Sequence, residues 1–404
     1  MKKTVVIAGA GHSAGQVIAT LKQKKFAGRI VLIGEEPYLP YQRPPLSKKF
    51  LAGEMPAERL HLKPESFYSD SNIEVRLETR VTGLDRDAHQ LQTSDGDTVT
   101  YDKLVLALGA RVREIAVPGI DLPGVHYLRN ISDVEGIRDG LSKSKQVVVV
   151  GAGYIGLEVA AVCRQLGLDV TIIEVEDRVM SRVVSPHVSD FYQLEHTNHG
   201  VRLLLSARVV AFGGKRRVKS VLTDDDQKIP ADLVVVGTGI LPNTELARAA
   251  GLDIDNGIAV DDRCQTSDTD IYAVGDCTSH PNSIYGRRLR LESVHNAVEQ
   301  AKTAANNICG IETRYSQVPW FWSDQYDLKL QITGLSEGYD QVVLRGDPAS
   351  RSFACLYLKD GSLIAVDAIN AARDFMQSKA LIANHAICDP EKLADVDIAL
   401  KDQG

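Results

Sequence analysis

The chain has 404 residues, 44% hydrophobic and 25% charged, which is enough apolar material for several buried cores and length for two or three domains. Its formal charge of -7 leaves no excess positive field to attract polyanions, which excludes non-specific affinity for nucleic acid or anionic membranes. No apolar run approaches the roughly 18 residues of a membrane span, and the run after Met1-Lys2-Lys3 stops at Gly9, too soon for a signal peptide, so the cytoplasm is the expected compartment.

In chain order, Thr4 to Ala8 reads as a strand, Gly9 to Gly15 as a glycine turn, a helix runs to about Lys25, and Ile30 to Ile33 is a second strand that ends just before Glu35. This is a βαβ unit. Gly9 permits the tight turn, Gly11 lets backbone approach a pyrophosphate, and Ala14 keeps helix and strand close. The helix N-terminus offers free N–H groups to phosphates, and Glu35 falls where a carboxylate binds ribose hydroxyls. The stretch YQRPPLSKKF, Tyr41 to Phe50, then sets Pro44 and Pro45 beside Arg43 and follows them with Lys48. Leu104 to Gly109, which contains Ala107, reads either as an ordinary buried strand or as a crossing between domains, and so does Leu233 to Asn243, which contains Gly237.

The βαβ pattern recurs in full from Gln146 to Glu174: a valine strand, Gly151-x-Gly153-x-Ile155-Gly156-x-Glu158, a helix, and a second strand ending in Glu174 about 20 residues past the glycines. A carboxylate there binds both hydroxyls of an adenine ribose and repels a 2′-phosphate, which favours NADH over NADPH; Arg178 and Arg182 oppose that preference. Thr266 to Asp276 is a threonine turn, a short apolar strand and a Gly-Asp, where Asp276 suits a flavin ribitol. Two dinucleotide units in one chain imply electron transfer between two cofactors. The six cysteines are scattered without short pairing, which signals no metal site or local dithiol, and His12 and His295 show no base or metal partner and receive no catalytic role.

These markers, with Arg43-Pro44-Pro45-Leu46-Ser47-Lys48, Gly275-Asp276-Cys277, Glu292 to Ala297 and Pro319 to Gln325, resemble the FAD-dependent pyridine nucleotide reductases, and among them the NADH-dependent ferredoxin reductases that serve oxygenases. The resemblance covers essentially the whole chain. It implies a glutathione-reductase-like α/β fold with two Rossmann-like domains, FAD on residues 1–110 and 237–314 and NADH on 111–236, plus a smaller α+β C-terminal domain over 315–404. By resemblance the FAD contacts are Ser13, Glu35, Lys48, Val81, Arg129, Asp276 and Val294, with Arg43 near the pyrophosphate; the NADH contacts are the loop Gly151 to Gly156, Glu174, Arg182 and Gly237. Ala14 at the third glycine position and Leu108 in place of a usual threonine depart from the family pattern and leave FAD binding intact.

Dithiol enzymes of this fold carry a C-x4-C pair facing the flavin, whereas this chain has no cysteine before Cys163 and places Tyr41 to Phe50 there. Electrons are therefore expected to leave directly from the flavin. Lys48 is expected beside flavin N5, with Glu158 on the first turn of its helix as ionic partner, because either charge buried alone is costly. Trp320 and Trp322 fall on one side of an extended segment; Trp320 either packs in a core or stacks near the flavin. The expected partner is an acidic 2Fe-2S ferredoxin, docked on Arg287, Arg288 and Arg290 or on Arg111 and Arg113, and the protein is expected to be a monomer or weak homodimer. Alternatives are a rubredoxin reductase, an NADH oxidase, or a flavoprotein like apoptosis-inducing factor that does not turn over.

Overall fold

The computed structural model describes residues 3–70 and 72–403. By contact the chain forms two compact units, one of Met1–Arg43, Glu58–Arg111 and Ile240–Pro319, the other of Pro44–Ala57, Val112–Gly239 and Trp320–Gly404. The Arg43-Pro44 junction thus parts two halves of one sequence motif: Arg43 goes with the first unit and Lys48 with the second.

The first unit is built on a parallel sheet in the order Ile271–Ala273, Lys103–Leu106, Thr4–Ala8, Arg29–Ile33, Ile73–Arg76. Side chains alternate across a strand, so Val5 and Ile7 enter one core with Val17, Ile18 and Leu21 of the helix His12–Gln23, while Val6 and Ala8 enter another on the opposite face. Both faces are covered, as a parallel sheet requires. Ala301, Ala304 and Ala305 put small side chains of the helix Val294–Ile308 into the first core.

The second unit repeats the device with the parallel order Arg202–Leu204, Asp169–Ile173, Gln146–Val150, Leu233–Val236, Val125–Tyr127. It also holds a five-stranded antiparallel sheet in the order Trp320–Gln325, Leu328–Gly334, Ser362–Ile369, Ser352–Lys359, Gln341–Asp347, with the helix Ala372–Ala383 after the last strand in sequence. The two segments read as alternating strands from sequence, Gln341 to Arg345 and Ser352 to Leu358, are neighbours in it. The α/β class with two Rossmann-like sheets and a smaller C-terminal sheet is therefore as expected.

Asp367, on the strand Ser362–Ile369, is fully buried. It accepts a hydrogen bond from the Tyr357 hydroxyl, which itself accepts from the Ser185 amide at 3.0 Å, while its Oδ1 has no hydrogen-bond partner. Burial pushes its carboxyl up to about 7, against the lowering effect of Tyr357. A folded-state value above the unfolded one stabilises the fold fully below the unfolded value, near 3.8, and that contribution is lost as pH rises toward 7. Asp367→Asn removes this loss. Its melting temperature relative to wild type should rise from pH 5 to pH 8, at about 1.4 kcal/mol per pH unit within the window; a difference that stays flat with pH would count against it.

Candidate functional site

In the first unit, Gly9 has φ +104°, and a Cβ there would lie 2.2 Å from the Ala107 carbonyl oxygen, so the glycine is what lets the turn cross the neighbouring strand end. Gly11 caps the helix His12–Gln23 with no side-chain hydrogen bond and no acid in the first turn, and a Cβ on it would meet nothing within 4 Å. The helix N-terminus thus has neither a side-chain cap nor an acid to answer its dipole, an anion cradle of the kind a pyrophosphate fills. Ser13 and Ala14 are buried in that turn. Gly275, before Asp276, packs so tightly that a Cβ would stand 2.5 Å from the Ser13 hydroxyl. His12 Nδ1 is buried without a hydrogen-bond partner, and burial lowers its pKa, so the ring is neutral. An unpartnered buried ring nitrogen beside an uncapped helix N-terminus fits a polar ligand there.

Glu35 is exposed, 3.9 Å from Arg80. The next residue, Glu36, was not singled out in the sequence, yet it holds Arg43 at 2.6 Å and accepts from the Tyr41 hydroxyl. Val81 opens the strand Val81–Asp85, and Val294 opens the helix capped by Ser293.

The second cradle is complete. Gly151 has φ +101°, with the Gly237 carbonyl oxygen 2.4 Å from where its Cβ would be; Gly156 would put a Cβ 2.0 Å from the Gly151 oxygen. Gly153 caps the helix Tyr154–Gln165 without side-chain help and has open space around it, and Ile155 is exposed. Glu174 accepts from the Ala152 amide at 2.6 Å and from the Glu176 amide at 2.9 Å, so it braces the loop. Arg178 is tied to the carbonyls of Val184 and Ser181 and to the Ser189 hydroxyl, whereas Arg182 is exposed. Arg129 donates its amide to Asp133 just before a helix capped by Asn130.

Lys48 and Glu158, both in this unit, form an ion pair at 2.7 Å; Glu158 is 3% exposed and Lys48 16%. Glu158 lies at the start of the second turn of its helix rather than on the first, because Gly153 is the cap. There the helix-end amides do not serve it. Its oxygens instead accept from the Ser47 and Ser323 hydroxyls, the latter at 2.6 Å. The Pro44–Ser47 turn of 3-10 helix presents Ser47 and Lys48 together, and the Lys48 ammonium also reaches the Pro44 carbonyl at 3.4 Å. Both serines stand inside motifs noted from sequence, but neither was read as a ligand of Glu158. Trp320 and Trp322 share a face, with ring centroids 5.5 Å apart, and Trp320 packs on Phe375 under the Lys379 ammonium.

Several arginines of the two expected docking patches are ion-paired. Arg288 bonds the Val260 carbonyl at 2.9 Å and lies 3.5 Å from Asp255, Arg290 pairs with Glu292, and Arg111 pairs with Glu245 at 2.8 Å. Arg111, Arg113, Arg287 and Arg288 are exposed. Burial pushes the Cys163 and Cys355 thiols up to about 12 and Cys277 up to about 11, which makes them inert.

The unit-1 group therefore comprises Gly9, Gly11, Ser13, Ala14, Glu35, Arg43, Val81, Ala107, Asp276 and Val294. The unit-2 group comprises Lys48, Arg129, Gly151, Gly153, Ile155, Gly156, Glu158, Glu174, Arg182, Gly237 and Trp320.

Residues 3–301 match the family model for pyridine nucleotide-disulphide oxidoreductase, and residues 320–403 match the reductase C-terminal model. The chain is 44% identical over 400 residues to the 5,5'-dehydrodivanillate O-demethylase ferredoxin reductase subunit of a Sphingobium species, covering 98% of this chain and 97% of that protein. Among solved structures it is similar to the ferredoxin reductase for the CYP199A2 system from Rhodopseudomonas palustris, at 43% identity, 99% of each chain and a TM-score of 0.96. The same TM-score, at 41% identity over 99% of this chain and 97% of that one, relates it to the reductase in the covalent putidaredoxin reductase-putidaredoxin complex.

The two glycines of the second cradle should separate on substitution. Gly156→Ala should lower the melting temperature, since backbone must move away from the new Cβ. Gly153→Ala, whose Cβ meets nothing within 4 Å, should leave the fold nearly as stable, and where this cradle holds the coenzyme it should weaken NADH binding by about tenfold or more in titrations. Unchanged affinity in Gly153→Ala would argue against the cradle.

Proposed function

Because the chain belongs to the pyridine nucleotide-disulphide oxidoreductase family, we propose that it takes a hydride from NADH onto FAD and passes single electrons to a 2Fe-2S ferredoxin that supplies an oxygenase. The observation that carries this reading is Lys48, paired with a buried Glu158, in a stretch that holds no cysteine. Bound FAD would accept two electrons as hydride and release them one at a time. On this reading residues 1–110 and 237–314 hold FAD, residues 111–236 hold NADH, and residues 315–404 form the third domain.

The residues divide the work. First-turn amides after Gly11 take the FAD pyrophosphate, Arg43 adds positive charge fixed by Glu36, and Asp276 takes ribitol hydroxyls. Amides after Gly153 take the NADH phosphates, and Glu174 takes the adenine ribose, where its charge disfavours a 2′-phosphate. Arg178, spent on carbonyl oxygens, does not compete for that phosphate. Lys48 supplies a fixed cation where reduction adds negative charge, and Glu158 keeps the ammonium in place. Docking rests on one of the two arginine patches, Arg287, Arg288 and Arg290 or Arg111 and Arg113. No helix among the described residues is long and apolar enough to cross a membrane, and we assign the protein to the cytoplasm as a monomer or weak homodimer.

Lys48→Met should slow flavin reduction by NADH in stopped-flow by about a hundredfold, the scale of one lost preorganised charge contact; an unchanged rate would remove the role. Cytochrome c reduction should be fast only with an added 2Fe-2S ferredoxin. Equal activation by rubredoxin would favour that acceptor, and activation by neither would favour a flavoprotein without turnover.

A further inference from the structure

The carboxylate of Glu158 is the end of a longer buried chain. Ser323 donates to Glu158 and accepts from the Gln325 amide nitrogen at 3.2 Å; the Gln325 amide oxygen meets His196 Nε2 at 2.9 Å; and His196 Nδ1 meets the Tyr326 hydroxyl at 3.1 Å. Ser323, Gln325 and His196 are at most 1% exposed, and Tyr326 is partly exposed. All lie in the second unit.

The direction of every proton in this chain follows from chemistry. A carboxylate only accepts, so the Ser323 proton points to Glu158, and Ser323 must then accept from its other neighbour. That neighbour is the Gln325 amide nitrogen, because the reverse amide would set oxygen against the serine lone pairs. The Gln325 oxygen needs a donor, so His196 carries its proton on Nε2. Its Nδ1 accepts, and Tyr326 donates. Burial pushes His196 down to about 4, against the raising effect of Gln325, which keeps the ring neutral. Four hydrogen bonds in series all point toward Glu158, and bonds aligned in this way polarise one another.

We propose that His196 is a positioning residue for the Lys48-Glu158 pair, acting through Gln325 and Ser323 to fix the Glu158 carboxylate as the acceptor of the lysine ammonium. The geometry stands by itself, whereas the catalytic consequence rests on the reading of Lys48 given above. His196 touches neither Glu158 nor Lys48, so its influence travels only through the orientation of the Gln325 amide.

The test uses the FAD-loaded protein. In 15N spectra of histidine-labelled protein, His196 should be the neutral Nε2-H tautomer from pH 6 to pH 8. A protonated ring or the Nδ1-H tautomer would reverse the chain and overturn the proposal whatever the kinetics. In stopped-flow, His196→Leu and Gln325→Leu should lower the limiting rate of flavin reduction about tenfold, the scale of one lost hydrogen bond in the chain, with the apparent Kd for NADH unchanged. His196→Gln, whose amide nitrogen replaces the Nε2 donor, should restore most of the rate. If Lys48→Met slows reduction while all three of these variants reduce at the wild-type rate, the inference fails and the reading of the pair stands. If Lys48→Met is also without effect, the reading itself fails. Rate losses that follow the melting temperature and are not restored in His196→Gln would make the chain a purely structural element and would overturn the proposal.

Discussion

A carboxylate 3% exposed inside a protein has to be answered, and the interior of the second unit is arranged around that need. Stripping Glu158 of Lys48 would leave an uncompensated buried charge, a loss of about 3–5 kcal/mol. Three pieces of chain far apart in sequence therefore converge on it: the Pro44–Ser47 turn with Lys48, the helix Tyr154–Gln165, and the strand Trp320–Gln325. The contact grouping of Pro44–Ala57 with the second unit has this pair as its electrostatic counterpart. Tight packing of the proline turn and the ion pair reinforce each other, since the prolines limit the backbone freedom that Lys48 would otherwise lose on pairing.

How much of this was legible from sequence depended on range. The glycine cradles were, because their logic is local: Gly9, Gly11, Gly151 and Gly153 act on residues within one turn and on the adjoining strand ends. The Lys48-Glu158 pair was also legible, since a buried charge demands an opposite one, although Glu158 stands on the second helical turn and not the expected first, because Gly153 is the cap. Ser323 was not, being 165 positions from Glu158 and of a residue type that is usually unremarkable. Gln325 closes the marker Pro319 to Gln325 but gave no sign of its partner, and His196 carried no pattern at all. The ion pairing of the arginine patch was legible only in part: Glu292 stands two residues from Arg290, but the approach of Asp255 to Arg288 depends on the tertiary fold.

The two dinucleotide sheets show the same architecture meeting different demands. In the first unit the acid after the second strand, Glu35, is exposed, and the adjacent Glu36 is committed to Arg43 and Tyr41. In the second unit the corresponding acid, Glu174, turns back onto the glycine loop. Similar βαβ units thus differ in what their terminal acid does, and a sequence fingerprint alone is blind to that difference.

The bond from the Ala152 amide to Glu174 also bears on how this enzyme could change coenzyme. On the proposed reading, one carboxylate both rejects the extra phosphate of NADPH and braces the loop that grips the phosphates common to both coenzymes. Selectivity and grip are then not separable modules. A lineage drifting toward NADPH, or an engineer pushing it there, meets an epistatic step at this position: discarding the acid loosens the hold on either coenzyme unless another acceptor for the Ala152 amide arrives first.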